Sequence, residues 1–402
     1  MIYVHVPFCR SFCTYCGFYS ELATKCCDGH VRQSGLQGRF ATALAAEIDA
    51  GRDLLAGHIA GVDGLSPKTL YVGGGTPSVM PLEFFEGMVG NLCRAGGVPR
   101  AEWDEFTVEV NPEDIVEKGT EYVQGLRALG VNRISMGVQS FDDGILRFMN
   151  RRHSAACAEK AYEILYGAGV ENISIDLIFG LPQLSDSLWR DTIHRALALA
   201  PQHISAYQLS IDPGSALAKL TERGKFEEAG QEECSRQYDI LCRELAVAGY
   251  NHYEISNFAL PGYEAVHNSA YWLHVPYIGL GPAAHSFIVQ ADGKSLKCSR
   301  RWNNADLNAY ISAADAYFED VRGGEILSEK ELSEEKIMLA LRTSRGIDAA
   351  YLRAHCEQSV IERLLKQGLL VEIPNSDRYE KSAFRIPEKH FFISDSIISD
   401  LF

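Results

Sequence analysis

The chain has 402 residues, 46% of them hydrophobic, and a formal net charge of −15. That apolar content supports a packed core and excludes a disordered chain, while the acidic balance argues against general nucleic-acid binding. No uninterrupted apolar stretch approaches the roughly 20 residues of a membrane span, and the eleven cysteines form no regular disulfide framework, as in a reducing compartment.

Residues 2–6 alternate like a strand and lack the basic and apolar regions of a secretory leader. With the cysteine usage, this points to a cytoplasmic protein. Cys9, Cys13 and Cys16 follow at once, spaced C-x3-C-x2-C. Phe40, Leu44 and Ile48 then recur at helical spacing. A β-branched run at 69–72 leads into Gly73-Gly74-Gly75-Thr76-Pro77. Phe84, Met88 and Leu92 mark another helix, and the strand-like run 106–110 carries Glu109. Tyr122, Val123, Leu126 and Leu129 form the next apolar stripe, before a strand at 133–138 that Gln139 follows. Asp176 lies within a run at 173–179, and a sixth run spans 204–209.

Strands alternating with helices mean βα units on a parallel sheet. Six units predict a partial (β/α)6 barrel over 1–212, and polar or glycine-rich residues recur at the same end of successive units. In such barrels that end carries the site. The turn signal Asp212-Pro213-Gly214-Ser215 closes this rhythm. Residues 213–402 are expected to form a smaller, mainly helical C-terminal domain. Its 250–287 segment is irregular and aromatic-rich, and its tail over 328–402 reads as a winged-helix-type module.

Three thiolates at this spacing can ligate three irons of a [4Fe–4S] cube and leave the fourth iron open. A structural zinc site is the alternative, with a fourth ligand from Cys26 or Cys27. The glycine run is either a tight βα turn or a place where backbone approaches a ligand. Glu109 and Asp176 are each either structural acids or acceptors for ligand hydroxyls. His267, in His267-Asn268-Ser269-Ala270-Tyr271-Trp272, is either a satisfied polar residue or an iron ligand. Cys93, Cys157, Cys234, Cys242, Cys298 and Cys356 share no ligand spacing and read as small hydrophobes or surface thiols.

Taken together, these motifs resemble the radical S-adenosylmethionine (SAM) superfamily, whose signature is this cysteine triplet with an aromatic, here Tyr15, before the third cysteine. The resemblance implies a [4Fe–4S] cluster on Cys9, Cys13 and Cys16. It also implies SAM chelated to the open iron and cleaved by one electron. SAM contacts would come from Tyr15, Gly74, Gly75, Thr76, Glu109, Gln139, Arg151 and Asp176, with Arg152 the adjacent alternative to Arg151. The Gly-Gly-Gly-Thr-Pro form is that of the coproporphyrinogen dehydrogenase group.

Within that group, the 267–272 segment and its flanks at 253–258 and 277–286 resemble the HemW-type haem chaperones. The fourth cysteine of the dehydrogenases is absent, since Gly17 and Phe18 follow Cys16. Two positions depart from the chaperone pattern: Gly17, where aspartate is common, and Ala283-Ala284, where glycine is more usual. The resemblance implies haem binding with His267 as iron ligand and Tyr271 and Trp272 beside the porphyrin. It implies delivery to respiratory haemoproteins at the membrane surface and an electron donor such as flavodoxin or ferredoxin, with no nucleic-acid partner. The alternative function is oxygen-independent decarboxylation of coproporphyrinogen III, or another radical SAM reaction on a tetrapyrrole.

Overall fold

The apolar, β-branched runs form strands β1 (Ile2–Val6), β2 (Thr69–Gly74), β3 (Glu105–Val110), β4 (Arg133–Gln139), β5 (Ile173–Phe179) and β6 (His203–Gln208). Each pairs in parallel with the next in chain order. These pairings come from a computed structural model that describes residues 1–23, 35–60, 67–97, 102–292, 295–315, 318–374 and 382–402. Cys26 and Cys27, the expected alternative ligands, lie outside the described residues.

The strands obey a period of two. Val4, Val72, Val108, Met136, Ile175 and Ile204 are fully buried against the helical layer. The alternate positions Tyr71, Glu109, Arg133, Ser135, Asp176 and Ser205 line an interior cavity. One strand pattern therefore builds both an apolar coat and a polar lumen. The helices bury matching stripes. Leu36–Ala50 sinks Phe40, Leu44 and Ile48, and Leu82–Ala95 sinks Phe84, Phe85, Met88 and Leu92. Ser154 and Ser185 cap the helices Ala155–Gly167 and Asp186–Ala198 by accepting from Cys157 N–H and Leu188 N–H.

The sheet does not stop at residue 212. A hairpin of β7 (Asn251–Glu254) and β8 (Asn257–Ala259) adds antiparallel to β6, and β9 (Ile278–Leu280) adds parallel to β1. The described strands thus form a nine-stranded sheet in the order β9-β1-β2-β3-β4-β5-β6-β8-β7. Beyond it, His285–Asp292, Ser295–Asn303 and Arg322–Ile326 form an antiparallel sheet. In the tail, helices Glu329–Leu341, Ala349–His355 and Gln358–Lys366 alternate with short antiparallel strands Ile347–Asp348, Val371–Ile373 and Ala383–Arg385. Among the described residues no helix is long and apolar enough to cross a membrane.

The β9 edge is anchored by one buried acid. Glu47 is 1% exposed and accepts from Gly281 N–H, Asn303 Nδ2, the Tyr310 hydroxyl and Arg322 Nη2, all within 2.7–2.9 Å. The turn after β9 also carries strain, because Ala283 has φ 61°. A Cβ in that region costs about 1–2 kcal/mol, which explains why glycine suits this turn. Ala283→Gly is expected to stabilise the protein by about 1 kcal/mol, read as a higher urea midpoint. A lower midpoint would show that the turn is not strained.

Candidate functional site

The C-terminal ends of the strands open into a cavity of about 1030 Å³, at the upper end of small-molecule pockets. Cys9, Cys13, Cys16 and Tyr15 line it, as do Gly74, Gly75, Thr76, Glu109, Gln139, Arg151 and Asp176. Side chains separated by up to 167 positions thus meet at one place, the residues expected to hold a cluster beside those expected to hold SAM.

The cysteine loop is held from three directions. Thr14 N–H donates to Met149 O at 3.2 Å, and Asn150 Nδ2 donates to Phe12 O at 2.7 Å. Leu217 N–H donates to Thr14 O at 2.8 Å. Arg10 pairs with Asp114 at 3.1 Å and also with Glu117. Gly17 N–H donates to Asp212 Oδ2 at 3.0 Å, and a Cβ at Gly17 would stand 2.4 Å from the Asp212 Cβ. The space for a side chain at 17 is therefore taken by Asp212. The carboxylate expected in the loop is supplied from the turn after β6, which accounts for the departure at this position.

The thiols meet donors. Thr76 Oγ1 lies 3.4 Å from Cys9 Sγ, and Arg151 Nη1 lies 3.5 Å from Cys13 Sγ. Burial pushes the Cys9 thiol up and the Cys16 thiol to about 11. Among the described residues no three His, Cys, Asp or Glu side chains are gathered to hold a single metal ion. Soft thiolates with hydrogen-bond donors beside them are nevertheless the donor set that an iron–sulfur cube takes.

The glycine loop is there for space. A Cβ on Gly75 would lie 2.7 Å from Phe8 O, and Gly74 has φ 111° with a Cβ position 2.7 Å from the His5 ring. The loop therefore packs tightly on the cysteine segment. Gln139 also has positive φ, 68°, where β4 bulges against β5. Such strain is common where a side chain is aimed at a ligand.

Glu109 accepts from the Tyr71 hydroxyl at 2.7 Å and Gly74 N–H at 3.2 Å. Burial holds its carboxyl up, to about 7. Asp176 takes the Ser135 hydroxyl at 3.1 Å and, through burial, sits at about 6. Arg151 donates to Asn111 Oδ1 at 2.7 Å and Gly137 O at 2.6 Å, while Arg152 is exposed. Arg151 is thus the inward member of the pair. In the folded state Glu109 ionises only at raised pH, so its burial costs stability as pH rises from 4.5 through about 7. Glu109→Gln is expected to gain about 1–3 kcal/mol over wild type near pH 8 and almost nothing near pH 4. Urea denaturation of the cofactor-free protein at the two pH values checks this. An equal difference at both would contradict it.

His267 departs from expectation. It does not line the cavity, is 1% exposed, and shares both ring nitrogens with protein hydroxyls. Nδ1 lies 2.7 Å from Thr69 Oγ1, and Nε2 lies 3.1 Å from the Tyr271 hydroxyl. Burial lowers its pKa to about 3. As folded, neither nitrogen is free for haem iron. The helix Val266–Trp272 is pinned by Glu105, which accepts Val266 N–H and His267 N–H, and it sends Asn268 to the cavity instead. Sequence reasoning missed Asn268, Tyr71, Asn111, Arg133, Ser135, Ser205, Tyr207 and Asp212 as cavity residues. The period of two on β2, β4 and β6 was the available signal for most of them.

The radical SAM superfamily model matches residues 3–196. The heme chaperone HemW of Synechocystis sp. is 33% identical over 355 residues, 87% of this chain and 79% of that one. HemW of Bacillus subtilis is 32% identical over 346 residues, covering 86% and 84%. HemW of Escherichia coli is 31% identical over 299 residues, covering 74% and 73%. The solved coproporphyrinogen III oxidase HemN of Escherichia coli, a radical SAM enzyme, superposes with a TM-score of 0.76 at 21% identity, over 100% of this chain and 89% of that one. At that identity the match speaks for the fold. The extent of the HemW matches settles the family: this chain belongs to the HemW haem chaperones of the radical SAM superfamily.

Proposed function

We propose that this chain binds haem and hands it to respiratory haemoproteins, working in the cytoplasm on a radical SAM scaffold. The observation that carries the reading is the single cavity shared by three thiols, a glycine loop and two buried acids, in a chain similar to HemW proteins over most of its length. In this reading Cys9, Cys13 and Cys16 hold a [4Fe–4S] cluster, which would supply an open iron and a reducing electron. Gly74, Gly75 and Thr76 offer backbone and hydroxyl groups to the SAM amino end. Glu109, Gln139 and Asp176 accept or share hydrogen bonds with its ribose, and Arg151 faces its carboxylate beside Cys13. Tyr15 packs next to the thiols. Residues 1–212 carry this machinery, while 213–402 close the barrel edges and present the surface to recipients. A flavodoxin or ferredoxin serves as electron donor.

His267 is assigned a structural part: seating the 266–272 helix against β2. His267→Ala is expected to cost about 1–3 kcal/mol by orphaning Thr69 and Tyr271, and to leave the haem spectrum of the folded protein unchanged. A displaced Soret band would show instead that the helix opens and lends the imidazole to iron. The function itself is tested with haem-loaded protein and an apo-haemoprotein acceptor. Haem is expected to pass to the acceptor, and the same protein given coproporphyrinogen III, SAM and reductant is expected to make no protoporphyrinogen. Turnover would overturn the chaperone reading in favour of a decarboxylase.

A further inference from the structure

Deep in the barrel lies a cation that the machinery above does not use. Arg133 opens β4, two positions before Ser135 on the same strand face, and lines the cavity. It is 1% exposed. Its guanidinium makes no hydrogen bond or ion pair with any described residue, and its buried Nε has no acceptor. A buried arginine ordinarily commits its donors to carboxylates or carbonyls, because a desolvated charge without partners is costly.

The acids around it are committed elsewhere. Glu105 receives Val266 N–H, His267 N–H and the Thr107 hydroxyl. Asp176 receives the Ser135 and Ser174 hydroxyls. Glu109 receives the Tyr71 hydroxyl and Gly74 N–H. Tyr71, Tyr253, His203 and His267 are the other titratable groups close enough to act on the guanidinium or feel its charge. The upper part of the cavity already has its own cation, since Arg151 stands beside Cys13. Arg133 sits at the other end of the same strand system, toward the closed end of the barrel.

We infer that Arg133 receives a carboxylate of the cavity's ligand, specifically a propionate arm of a tetrapyrrole. This deepens the haem reading and rests on it. A propionate is a flexible arm ending in a planar anion. It can reach a deep guanidinium while the macrocycle stays at the wider mouth, and the planar fork of arginine matches it in a two-pronged contact. The other source of a carboxylate is SAM, and the test separates the two.

The experiment titrates anaerobically reconstituted full-length protein with haem and with haem dimethyl ester, which lacks both anions, following the Soret band. SAM binding is measured on the same samples. Wild type is expected to prefer the diacid by about ten- to a hundredfold, the range of a charge-assisted pair. Arg133→Met is expected to bind diacid and diester alike, with SAM affinity unchanged. If Arg133→Met does not fold, Arg133→Lys, which keeps the charge but loses the fork, is expected to lose about tenfold of the preference. Equal affinity of wild type for the two haems overturns the inference and leaves haem binding standing. Saturable binding of neither overturns the haem reading and the inference with it. A preference that persists in Arg133→Met, or SAM affinity that falls while the haem preference stays, places Arg133 in another role and overturns it.

Discussion

Cys9→Ala, Cys13→Ala and Cys16→Ala are each expected to lose most of the iron and sulfide that the wild type takes up on anaerobic reconstitution. Iron–sulfur cubes need soft, charged thiolates, and alanine offers no donor. Burial keeps the Cys9 and Cys16 thiols protonated until a metal displaces the proton. Loss of one ligand leaves two thiols, one short of the three that hold an open cube. The cysteine loop is tied down by backbone contacts to Met149 and Leu217, so these variants are expected to keep the fold and lose only the iron. Cys26→Ala, outside the described residues, is expected to change little. If Cys26 proved as necessary as the triplet, the site would be closed and the open-iron reading would fail.

The largest expected effect on stability is at Glu47. Four donors converge on this buried carboxylate: a backbone amide, an asparagine, a tyrosine and Arg322. Glu47→Ala would remove the buried one of the two carboxylates paired with Arg322, which is itself only 9% exposed and keeps Glu319 and Asn303 Oδ1, and would take an acceptor from Gly281 N–H, Asn303 Nδ2 and the Tyr310 hydroxyl. Removing one partner of a buried ion pair costs about 3–5 kcal/mol, and the expected readout is a lower thermal midpoint with loss of order at the β9 edge. Glu47→Gln keeps the shape and some of the acceptors and is expected to lose less. A change under about 1 kcal/mol in Glu47→Ala, against the penalty expected for a buried pair, would show that the network is not what holds this edge.

The six parallel strands were legible because each is a short apolar run with its own local pattern. The runs at 2–6 and 173–179 coincide with β1 and β5, and the other four agree within a residue or two at either end. The strand-end motifs were legible for the same reason, since a cysteine triplet and a glycine run are local signals. The sheet edges were not. The strands β7, β8 and β9 are three or four residues long and gain meaning only from β6 and β1, far away in the chain. The strands at 285–292 and 295–303 lie in a stretch whose alternation is broken at Arg300. His267 illustrates a different limit. A histidine among aromatics has the same local sequence whether it faces a ligand or hydrogen-bonds Thr69, nearly two hundred positions away. Arg133 reads locally as a solvent-facing strand start, and only its place among neighbouring strands turns it toward the cavity.

Haem binding by the anaerobically reconstituted wild-type protein decides whether this chain carries haem. Titration with haem is expected to produce a Soret band that saturates at a fixed ratio of haem to chain, while the cluster absorption persists beneath it. A titration that only sums the spectra of free haem and reconstituted protein, with no saturation, would show that the chain is not a haem carrier.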